Sequence, residues 1–461
     1  MPISPKIQKL LILALGAGLG VWVLYRAVHL SFTHDESSSY LFFHDKSIGD
    51  LFTNFSCWQS ANNHILNTVL FKLSIKLFGL SDFAMRIPNV LAFFGSFYFA
   101  YKISDKHLSN PFSTLALFTV LFLNPYVIDF YSLCRGYGLS MFFQLFSIYF
   151  LLNYLKWNQK ASLHFCFIGL ALATLSLLTN AILFPVMGLS LWIIQYKRIL
   201  SAKEIIWVPL AWGFVTLALI WKPIGFLRQK NEFRYGADNI WESFKSFIKG
   251  SLNEKSYGFD NDSTLLFVLI LLVVALIISS IILLKSRSYY RFFPIAFLLL
   301  LALLHIALAA DVLLPVVRKT TLYVPLLACL LSFSFGHIKL SIMRKSVLSF
   351  TLFLIVAHFV TTTKIDQTIE WNYDRLTKEY ILRLKNKDRK FVLQTYWKFY
   401  PTSEYYVTSR KIENIIVYPR NNDFKLAESA TALIHYEWET KAFSEFTIIE
   451  EDQELSLAIK K

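Results

Sequence analysis

Long apolar runs separated by short polar segments fill roughly the first three quarters of this 461-residue chain. A helix needs about 17 to 25 mostly apolar residues to cross about 30 Å of hydrocarbon. Eleven runs reach or approach that length, so the pattern predicts about eleven transmembrane helices. Their ranges are residues 10–30, 83–101, 111–128, 130–155, 161–178, 181–196, 205–221, 265–284, 292–310, 320–336 and 347–360.

The first run is interpreted as a retained span. It follows Lys6 and Lys9, and it is longer than the core of a signal peptide, which has about 7 to 15 residues. No small-residue cleavage site follows it. We therefore expect residues 10–30 to stay in the membrane.

Residues 64–79 form a further apolar stretch with a polar stripe along one helical face. The stripe recurs at every fourth position and comprises His64, Thr68, Lys72 and Lys76. Such a stripe is typical of a helix that lies in the membrane interface. Counting the stretch as a twelfth span would also invert the sidedness of every later loop. We therefore expect an interfacial helix inside an outer loop, residues 31–82.

Loop charge assigns the two sides of the membrane. The net charge is +15, and lysines and arginines cluster in short segments between the apolar runs. If the N-terminus is cytoplasmic, five alternate loops each carry two or three Lys/Arg, as the positive-inside rule requires. These inner loops are residues 102–110, 156–160, 197–204, 285–291 and 337–345. The outer side then holds residues 31–82, 129–137, 222–264, 311–319 and everything after 361.

Composition narrows the class of protein. Apolar residues make up 55% of the chain and charged residues 17%, against about a quarter in an ordinary soluble domain. The clustered basic residues fit membrane anchoring rather than nucleic-acid binding. The four cysteines lack paired CxxC spacing, so they indicate neither a zinc site nor a disulfide framework. The expectation is an all-α polytopic protein of the plasma (inner) membrane, in contact with lipid and not with nucleic acid.

From residue 364 the chain becomes charged and mixed in composition. Helical periodicity appears across residues 373–384, and four short segments have the pattern of strands. Those segments are residues 391–394, 415–418, 432–436 and 446–449. We therefore expect a membrane domain, residues 1–362, followed by a small α/β domain, residues 363–461, on the extracytoplasmic side.

Candidate chemistry begins at the tetrapeptide Thr33-His34-Asp35-Glu36, where the first span ends on the outer side. Two adjacent carboxylates at a low-dielectric boundary raise the free energy unless they are solvated, paired or bound to a cation. A solvated loop acid beside a span end is the simpler interpretation of the acidic pair alone. A functional interpretation requires partner residues on the same side.

Such partners follow in other segments of the predicted outer side. Each one alone is explained as a snorkelling or helix-ending residue, but their joint placement on one face indicates a site. They are Asn62, Asn63 and His64 before the interfacial helix, Arg86 at the second span, Arg135 and Tyr137 at the fourth, and Arg318 before the tenth.

Three segments together resemble the GT-C glycosyltransferases. They are the acidic pair after the first span, LFGLSDFAMRIP at residues 77–88, and SLCRGYG at residues 132–138. Within that superfamily the chain resembles the bacterial branch related to protein O-mannosyltransferases and lipid A aminoarabinose transferases. The motif similarity covers roughly residues 30–140, and the plan of many spans plus an outer C-terminal domain extends it to the whole chain. It departs at residues 62–65, NNHI, where relatives often have His-Pro or Lys-Pro-Pro.

The resemblance implies a membrane hexosyl or pentosyl transferase. The donor would be a polyprenyl-phosphate sugar, and the acceptor a glycan, lipid or protein on the outer face of the cell envelope. Asp35 is then the base that takes the proton of the acceptor hydroxyl, while Arg135 and Arg318 stabilise the departing lipid phosphate. A single displacement inverts the anomeric configuration.

The other polar residues are expected to support this reaction. Glu36 is a second catalytic candidate that orients the acceptor, or joins Asp35 in holding a divalent cation such as Mg²⁺ or Mn²⁺. No sequence feature requires that cation. Trp58 is a candidate for stacking on a sugar ring. The predicted substrate-binding residues are His34, Asn62, Asn63, His64, Arg86, Arg135, Tyr137 and Arg318.

A transporter or flippase for a lipid-linked glycan is the alternative. Transporters usually place polar residues near the bilayer midplane, often in paired broken helices. Here the spans hold few charges and the polar clusters lie at one surface, which favours the enzyme. A non-catalytic scaffold that displays the C-terminal domain would leave Asp35, Arg135 and Arg318 unexplained.

Overall fold

The structure, a computed structural model, covers most of the chain. It describes residues 5–58, 60–108, 110–198, 201–253, 262–286, 288–337, 342–420, 429–436, 445–451 and 455–461. Parts of six predicted loops lie outside these residues: 31–82, 102–110, 197–204, 222–264, 285–291 and 337–345.

Helices dominate the described residues. The first nine are α1 (Pro5–His29), α2 (His34–Phe43), α3 (Asp50–Thr53), α4 (Ile65–Phe78), α5 (Asp82–His107), α6 (Pro111–Phe122), α7 (Pro125–Asp129), α8 (Gly136–Trp157) and α9 (Lys160–Ser176). The next nine are α10 (Leu183–Ile194), α11 (Glu204–Gln229), α12 (Ile240–Leu252), α13 (Asp262–Lys285), α14 (Phe292–Ala309), α15 (Val324–Gly336), α16 (Ile342–Thr362), α17 (Thr377–Lys385) and α18 (Tyr400–Ser409).

Short polar residues set the starts of several helices. The side chains of Ser81, Asn110 and Asn124 accept hydrogen bonds from backbone N–H groups in the first turns of α5, α6 and α7. Such caps satisfy donors that have no partner inside the helix. Proline at the first position of α6 and of α7 fits the same rule, since its missing N–H would be unpaired there anyway.

The predicted all-α polytopic architecture is confirmed. Seven helical segments among the described residues are long and apolar enough to cross a membrane, and the pair α6 and α7, bent by 58°, brings the number to eight. Three shorter apolar helices lie at Lys160–Ser176, Leu178–Ile194 and Leu348–Thr362. Each of the eleven predicted runs coincides with one of these segments.

Helix α4 occupies the stretch predicted to be interfacial, but the first half of its polar stripe faces the protein. His64 and Thr68 are buried. Lys72 extends back along α2, where its Nζ donates to the Phe43 carbonyl at 2.9 Å. These three residues of the stripe are therefore satisfied inside the protein rather than by water. The interfacial position of α4 stays a prediction.

The C-terminal region forms a five-stranded mixed sheet with α17 and α18. Its strands are β1 (Phe391–Tyr396), β2 (Ile415–Arg420), β3 (Ala432–Tyr436), β4 (Phe446–Glu451) and β5 (Leu455–Lys460), in the order β2-β1-β3-β5-β4. Strand β1 is parallel to β2 and β3, and β5 is antiparallel to β3 and β4. The four predicted strands are present, whereas β5 and α18 were not predicted.

The predicted outer loop and the C-terminal region share one hydrophobic core. Phe32 lies just before α2 and Tyr40 lies within it. Both rings contact Tyr405 of α18, and the Phe32 ring stacks on the Tyr405 ring with 4.4 Å between the ring centroids. Polar contacts reinforce the docking, because Asp82 accepts from the Tyr405 hydroxyl and from Lys378 Nζ, both at 2.9 Å. The C-terminal domain thus packs directly on the helix that carries the acidic pair.

Candidate active site

The tetrapeptide at residues 33–36 starts α2 with a capping box. The Thr33 hydroxyl accepts from the Glu36 backbone N–H at 3.4 Å, and the Glu36 carboxylate accepts from the Thr33 backbone N–H at 2.9 Å. This reciprocal pair satisfies two donors at the helix start. Consecutive helical side chains point about 100° apart, so the carboxylates of Asp35 and Glu36 diverge.

Glu36 is a fully enclosed carboxylate paired with Arg86. Arg86 donates from Nε to Oε1 at 2.8 Å and from Nη2 to Oε2 at 2.7 Å, and the Cys134 backbone N–H donates to Oε1. The other guanidinium donors reach three backbone carbonyls within residues 27–31. The pair ties α2 to α5 and leaves no face open to a substrate, so this geometry does not favour the predicted catalytic role of Glu36 or the predicted binding role of Arg86.

Asp35 points instead to two other arginines. Its Oδ2 lies 3.0 Å from Arg318 Nη2 and 3.4 Å from Arg135 Nη2, while Asn62 Nδ2 donates to Oδ1 at 3.4 Å. The side chain is 7% exposed, and Oδ2 accepts no hydrogen bond of good geometry from the described residues. Asp35 therefore keeps acceptor capacity that Glu36 has already used.

Arg135 is the fixed member of this arginine pair. It is buried, and its Nη1 donates to the Asp35 carbonyl at 3.2 Å and to the Ser39 hydroxyl at 3.0 Å. Its Nη2 donates to Asn62 Oδ1 at 3.1 Å. These bonds hold the start of α8, helix α2 and the loop before α4 together around Asp35.

Arg318 is the more accessible arginine, with 29% of its side chain exposed. It bridges two carboxylates, because Nη1 donates to Glu370 Oε2 at 2.8 Å while Nη2 faces Asp35. Its guanidinium also lies 5.2 Å from the Trp371 ring, within cation–π range. The preceding Val317 has φ of +50°, a left-handed conformation that costs about 1–3 kcal/mol in a β-branched residue. This turn directs Arg318 toward Asp35.

A linker, residues 364–371, brings Glu370 and Trp371 to Arg318. A buried ion pair between Arg26 Nη2 and Asp129 Oδ1, at 2.6 Å, anchors it. Arg26 donates to the Gln367 carbonyl at 2.7 Å, and the Ile369 backbone N–H donates to Asp129 Oδ2 at 2.9 Å. The membrane domain thereby fixes the chain that supports Arg318.

His64 and Tyr137 lie beside the arginine pair. The His64 Nδ1–H donates to the Ser176 carbonyl at 2.9 Å, and its buried Nε2 has no partner among the described residues. Its ring meets Tyr137 edge-on at 5.0 Å. A Cβ on Gly136 would lie 1.9 Å from the Ser176 oxygen, so glycine is required where α8 starts. The Arg-Gly-Tyr segment therefore combines a charge, a close approach and an aromatic wall.

Three other residues singled out from the sequence make their hydrogen bonds to backbone carbonyls rather than to the charged cluster around Asp35. The His34 Nδ1–H donates to the Lys398 carbonyl at 2.8 Å, which joins the site to the C-terminal domain. Asn63 donates to the Cys57 carbonyl at 3.4 Å and lies under the loop. Trp58 is fully buried, and its Nε1–H donates to a backbone carbonyl, so its ring cannot stack on a sugar.

The charges around Asp35 determine its protonation. Burial acts to raise the pKa of Asp35, but the guanidinium groups of Arg135 and Arg318 outweigh it and hold that pKa below its usual 3.8. Burial and the same two arginines lower the pKa of His64 well below 6.5. At neutral pH the site therefore contains an ionised Asp35 and a neutral His64.

The predicted pair of metal ligands is not brought together. Asp35 faces two guanidinium groups and Glu36 is closed off by Arg86, so the two carboxylates do not converge on one point. Within the described residues no group of three or more His, Cys, Asp or Glu side chains has the geometry to hold a metal ion. The residues around Asp35 do not fit a divalent cation, because two fixed positive charges already occupy its surroundings.

An apolar pocket of about 420 Å³ opens beside the cluster. Side chains of α11 and α14, with Pro185 of α10, line part of it, and the segments 177–182, 232–235 and 310–315 supply most of the rest. His64, Tyr137 and Lys319 form the part of its lining next to the cluster around Asp35, and Asn63 and the acid Glu232 also line it. Lys319 Nζ donates to the Tyr235 carbonyl at 3.1 Å and follows Arg318 directly. A long apolar chain with an anionic head would suit such a pocket.

Sequence reasoning missed three members of this site. Lys319 follows Arg318 in the segment VVRKT. Two adjacent basic residues at the outer end of a predicted span could have indicated that Lys319 belongs to the same site. Glu370 and Trp371 follow the last span in an acidic and aromatic segment, and no spacing rule connects them to Arg318. The clustering of Asp35, Asn62, His64, Arg135, Tyr137 and Arg318 in one place was predicted.

Comparison with known proteins gives matches in structure alone. No protein-family model and no curated protein matches the chain. The chain is similar to ArnT from Cupriavidus metallidurans bound to undecaprenyl phosphate, with a TM-score of 0.47 and 10% identity over 99% of this chain and 98% of that one. The apo state of the same protein gives a TM-score of 0.46 and 10% identity, covering 97% of each chain.

The two matches are likenesses in structure at low sequence identity. Both extend over nearly the full length, so they include the helical region and the C-terminal domain together. Identity of 10% and TM-scores below 0.5 carry no argument about chemistry. The function is therefore inferred from the arrangement of residues around Asp35.

Proposed function

We propose that this protein is a membrane glycosyltransferase that moves a sugar from a polyprenyl-phosphate donor to an acceptor hydroxyl. The observation that carries the proposal is the junction of two unlike regions. An apolar pocket ends at His64, Tyr137 and Lys319, and directly beside that end an ionised Asp35 is held by Arg135 and Arg318. A lipid-linked phosphate sugar has the matching apolar and anionic parts.

The basic residues suit the leaving group. Cleavage of the bond between sugar carbon 1 and the phosphate oxygen leaves negative charge on the lipid phosphate. Arg318 is accessible and its guanidinium can form two parallel hydrogen bonds to phosphate oxygens. Arg135 and Lys319 add positive charge close by, in surroundings from which water is largely excluded.

Asp35 suits the acceptor side of the same step. The acceptor oxygen attacks carbon 1 and its proton passes to the Asp35 carboxylate. The two arginines keep Asp35 weakly basic before the reaction. As charge builds on the departing phosphate, that phosphate competes for the same guanidinium groups, so the pKa of Asp35 rises while the proton is transferred. One displacement of this kind inverts the anomeric centre.

The proposal also covers the side of the membrane on which the reaction takes place and the classes of donor sugar and acceptor. The site is built from segments that loop charge assigns to the outer face, so we place the reaction and the C-terminal domain there, in the plasma membrane. The donor sugar is a hexose or a pentose, and the acceptor is a glycan, lipid or protein. A transporter is disfavoured because the charged cluster lies at one end of the helices and is closed by the C-terminal linker.

The pocket is tested by filling it from one helix. Ala307 of α14 lines the pocket, whereas Ala302 of the same helix is exposed and does not line it. Ala307→Trp should weaken binding of undecaprenyl phosphate, the lipid in the ArnT structure, at least about tenfold by removing buried apolar contacts. Ala302→Trp is the matched control and should bind as wild type.

Binding is measured by native mass spectrometry of purified protein in nanodiscs. Release of lipid phosphate from an undecaprenyl-phosphate sugar is followed on the same samples. Wild-type protein that neither binds the lipid nor consumes the donor would refute the proposed function. Equal binding by both tryptophan variants would refute the assignment of the pocket.

A further inference from the structure

A second, smaller cavity lies near Asp35, lined by its α2 neighbours Ser38 and Ser39 and by Asn62, which contacts the Asp35 carboxylate. Its volume is about 200 Å³, against about 420 Å³ for the apolar pocket. That space suits one sugar ring whose remaining residues extend into solvent, and it is too small for a lipid chain. The lining residues are His34, Ser38, Ser39, Phe42, Phe43, Ser56, Cys57, Ser60 and Asn62.

The lining has the chemistry of a site for a neutral, hydroxyl-rich molecule. Four serine hydroxyls, an imidazole and a side-chain amide supply hydrogen-bond donors and acceptors. Phe42 and Phe43 supply flat apolar surface of the kind that packs on the C–H face of a sugar. Within the described residues no Asp, Glu, Lys or Arg lines the cavity, so nothing there would compensate a charged ligand.

A single stretch of chain, residues 60–64, separates this cavity from the lipid-sized pocket. Ser60 and Asn62 line the small cavity, whereas Asn63 and His64 line the large one. Asn62 connects the wall to the reaction centre, because it donates to Asp35 Oδ1 and accepts from Arg135. Residues 60–64 thus contribute to both cavities, and Asn62 places the small one next to Asp35.

We propose that the small cavity is the acceptor subsite and that the acceptor is an uncharged saccharide. This inference rests on the proposed function and specifies its second substrate. The acceptor hydroxyl enters beside Asn62 and its oxygen bonds to carbon 1 of the donor sugar. The bond from carbon 1 to the phosphate oxygen breaks, the electron pair leaves with the phosphate, and the proton goes to Asp35.

Two exposed serines in one loop provide a matched test. Ser56 is at the edge of the cavity and donates to Asn54 Oδ1 at 2.8 Å, while Ser47 lies away from it and donates to Asp50 Oδ2 at 2.7 Å. Ser56→Phe should obstruct the cavity without disturbing Asp35 or the arginines. Ser47→Phe loses an equivalent surface hydrogen bond and serves as the control.

The probes are methyl glycosides of neutral hexoses and pentoses, with methyl glycosides of uronic acids as charged counterparts. We expect neutral glycosides to bind wild type in saturation-transfer NMR, and Ser56→Phe to raise their KM in transfer at least about tenfold. Undecaprenyl phosphate binding should stay within about twofold of wild type. Phe42→Ala, at an exposed position, should raise the same KM by a smaller factor.

The outcomes separate the two proposals. If Ser56→Phe binds and uses neutral glycosides as wild type does, or if uronic acid glycosides are preferred, the acceptor subsite is refuted while donor turnover stands. If wild type consumes no donor, the proposed function fails, and glycoside binding by wild type against Ser56→Phe still decides whether the cavity recognises a neutral sugar.

Discussion

Two adjacent carboxylates, Asp35 and Glu36, have different roles although they lie in the same turn of α2. Glu36 caps its helix and makes a two-point pair with Arg86 inside a closed core. Asp35 lies beside residues that line two cavities, and Arg135 and Arg318 face it without saturating its oxygens. The comparison shows how one structural and one reactive acid arise from neighbouring positions, because helical geometry turns them toward different partners.

The largest expected effect comes from replacing Glu36, the structural acid of the pair. Glu36→Gln leaves the buried Arg86 charge uncompensated, which should destabilise the fold by about 3–5 kcal/mol. Asp35→Asn should lose clearly less stability, because Arg318 keeps Glu370 and Arg135 keeps its bonds to the residue-35 carbonyl, Ser39 and Asn62. Thermal unfolding of both purified variants in the same detergent checks this difference. Equal loss of stability would remove the distinction between the two acids.

The arginines give a second, smaller contrast. Arg318→Lys should lower turnover of the lipid donor by roughly ten- to a hundredfold, because an ammonium cannot bridge Asp35 and Glu370 or form a two-point contact with phosphate. Arg135→Lys should act in the same direction. Steady-state kinetics with purified lipid donor measure both, and wild-type rates in both variants would exclude these residues from the mechanism.

The sequence predicted those features of the site that leave a pattern of residues along the chain. The eleven apolar runs follow from hydrocarbon thickness, and the clustering of Asp35 with Arg135 and Arg318 follows from the parity of spans. The structural role of Glu36 was also readable, since Thr33 and Glu36 have the spacing of a capping box. That signal was overlooked in favour of chemistry.

Other features depend on tertiary packing alone. The inward turn of the His64 stripe depends on the Ser176 carbonyl, which lies 112 positions away in the sequence. The anchoring of the linker by Arg26 and Asp129 joins three distant segments. No period or spacing along the chain encodes such contacts, so a sequence without its fold leaves them invisible.

The linker supplies a third test of the reactive region. Glu370→Gln removes the negative charge that holds Arg318 while keeping an oxygen for the Tyr126 hydroxyl to donate to. We expect a several-fold fall in kcat/KM for the donor with little change in thermal stability, because the glutamine oxygen can still accept from Arg318 while the charge that orients it is lost. Kinetics and unfolding on the same preparation check both halves. A purely structural role would lower stability alone.

The smallest expected effect is a displacement of the acid limb of the pH profile. The pKa of Asp35 is depressed, so its ionised form persists below its usual range and is lost only as pH falls through that lowered value. Arg318→Gln removes one of the charges responsible and should move the acid limb of kcat/KM to higher pH. An acid limb that stays in place would show that Arg318 does not govern Asp35.

The most direct measurement is the rate of sugar transfer by Asp35→Asn. Asparagine keeps the size of the side chain and removes its charge and its capacity to take a proton. With matched amounts of purified protein, an undecaprenyl-phosphate sugar and an acceptor, transfer should fall at least about a hundredfold while undecaprenyl phosphate binding is retained. Asp50→Asn, in the same outer segment and hydrogen-bonded to Ser47 of its own turn, should transfer at close to the wild-type rate. Transfer by Asp35→Asn at the wild-type rate would contradict the assignment of Asp35 as the base.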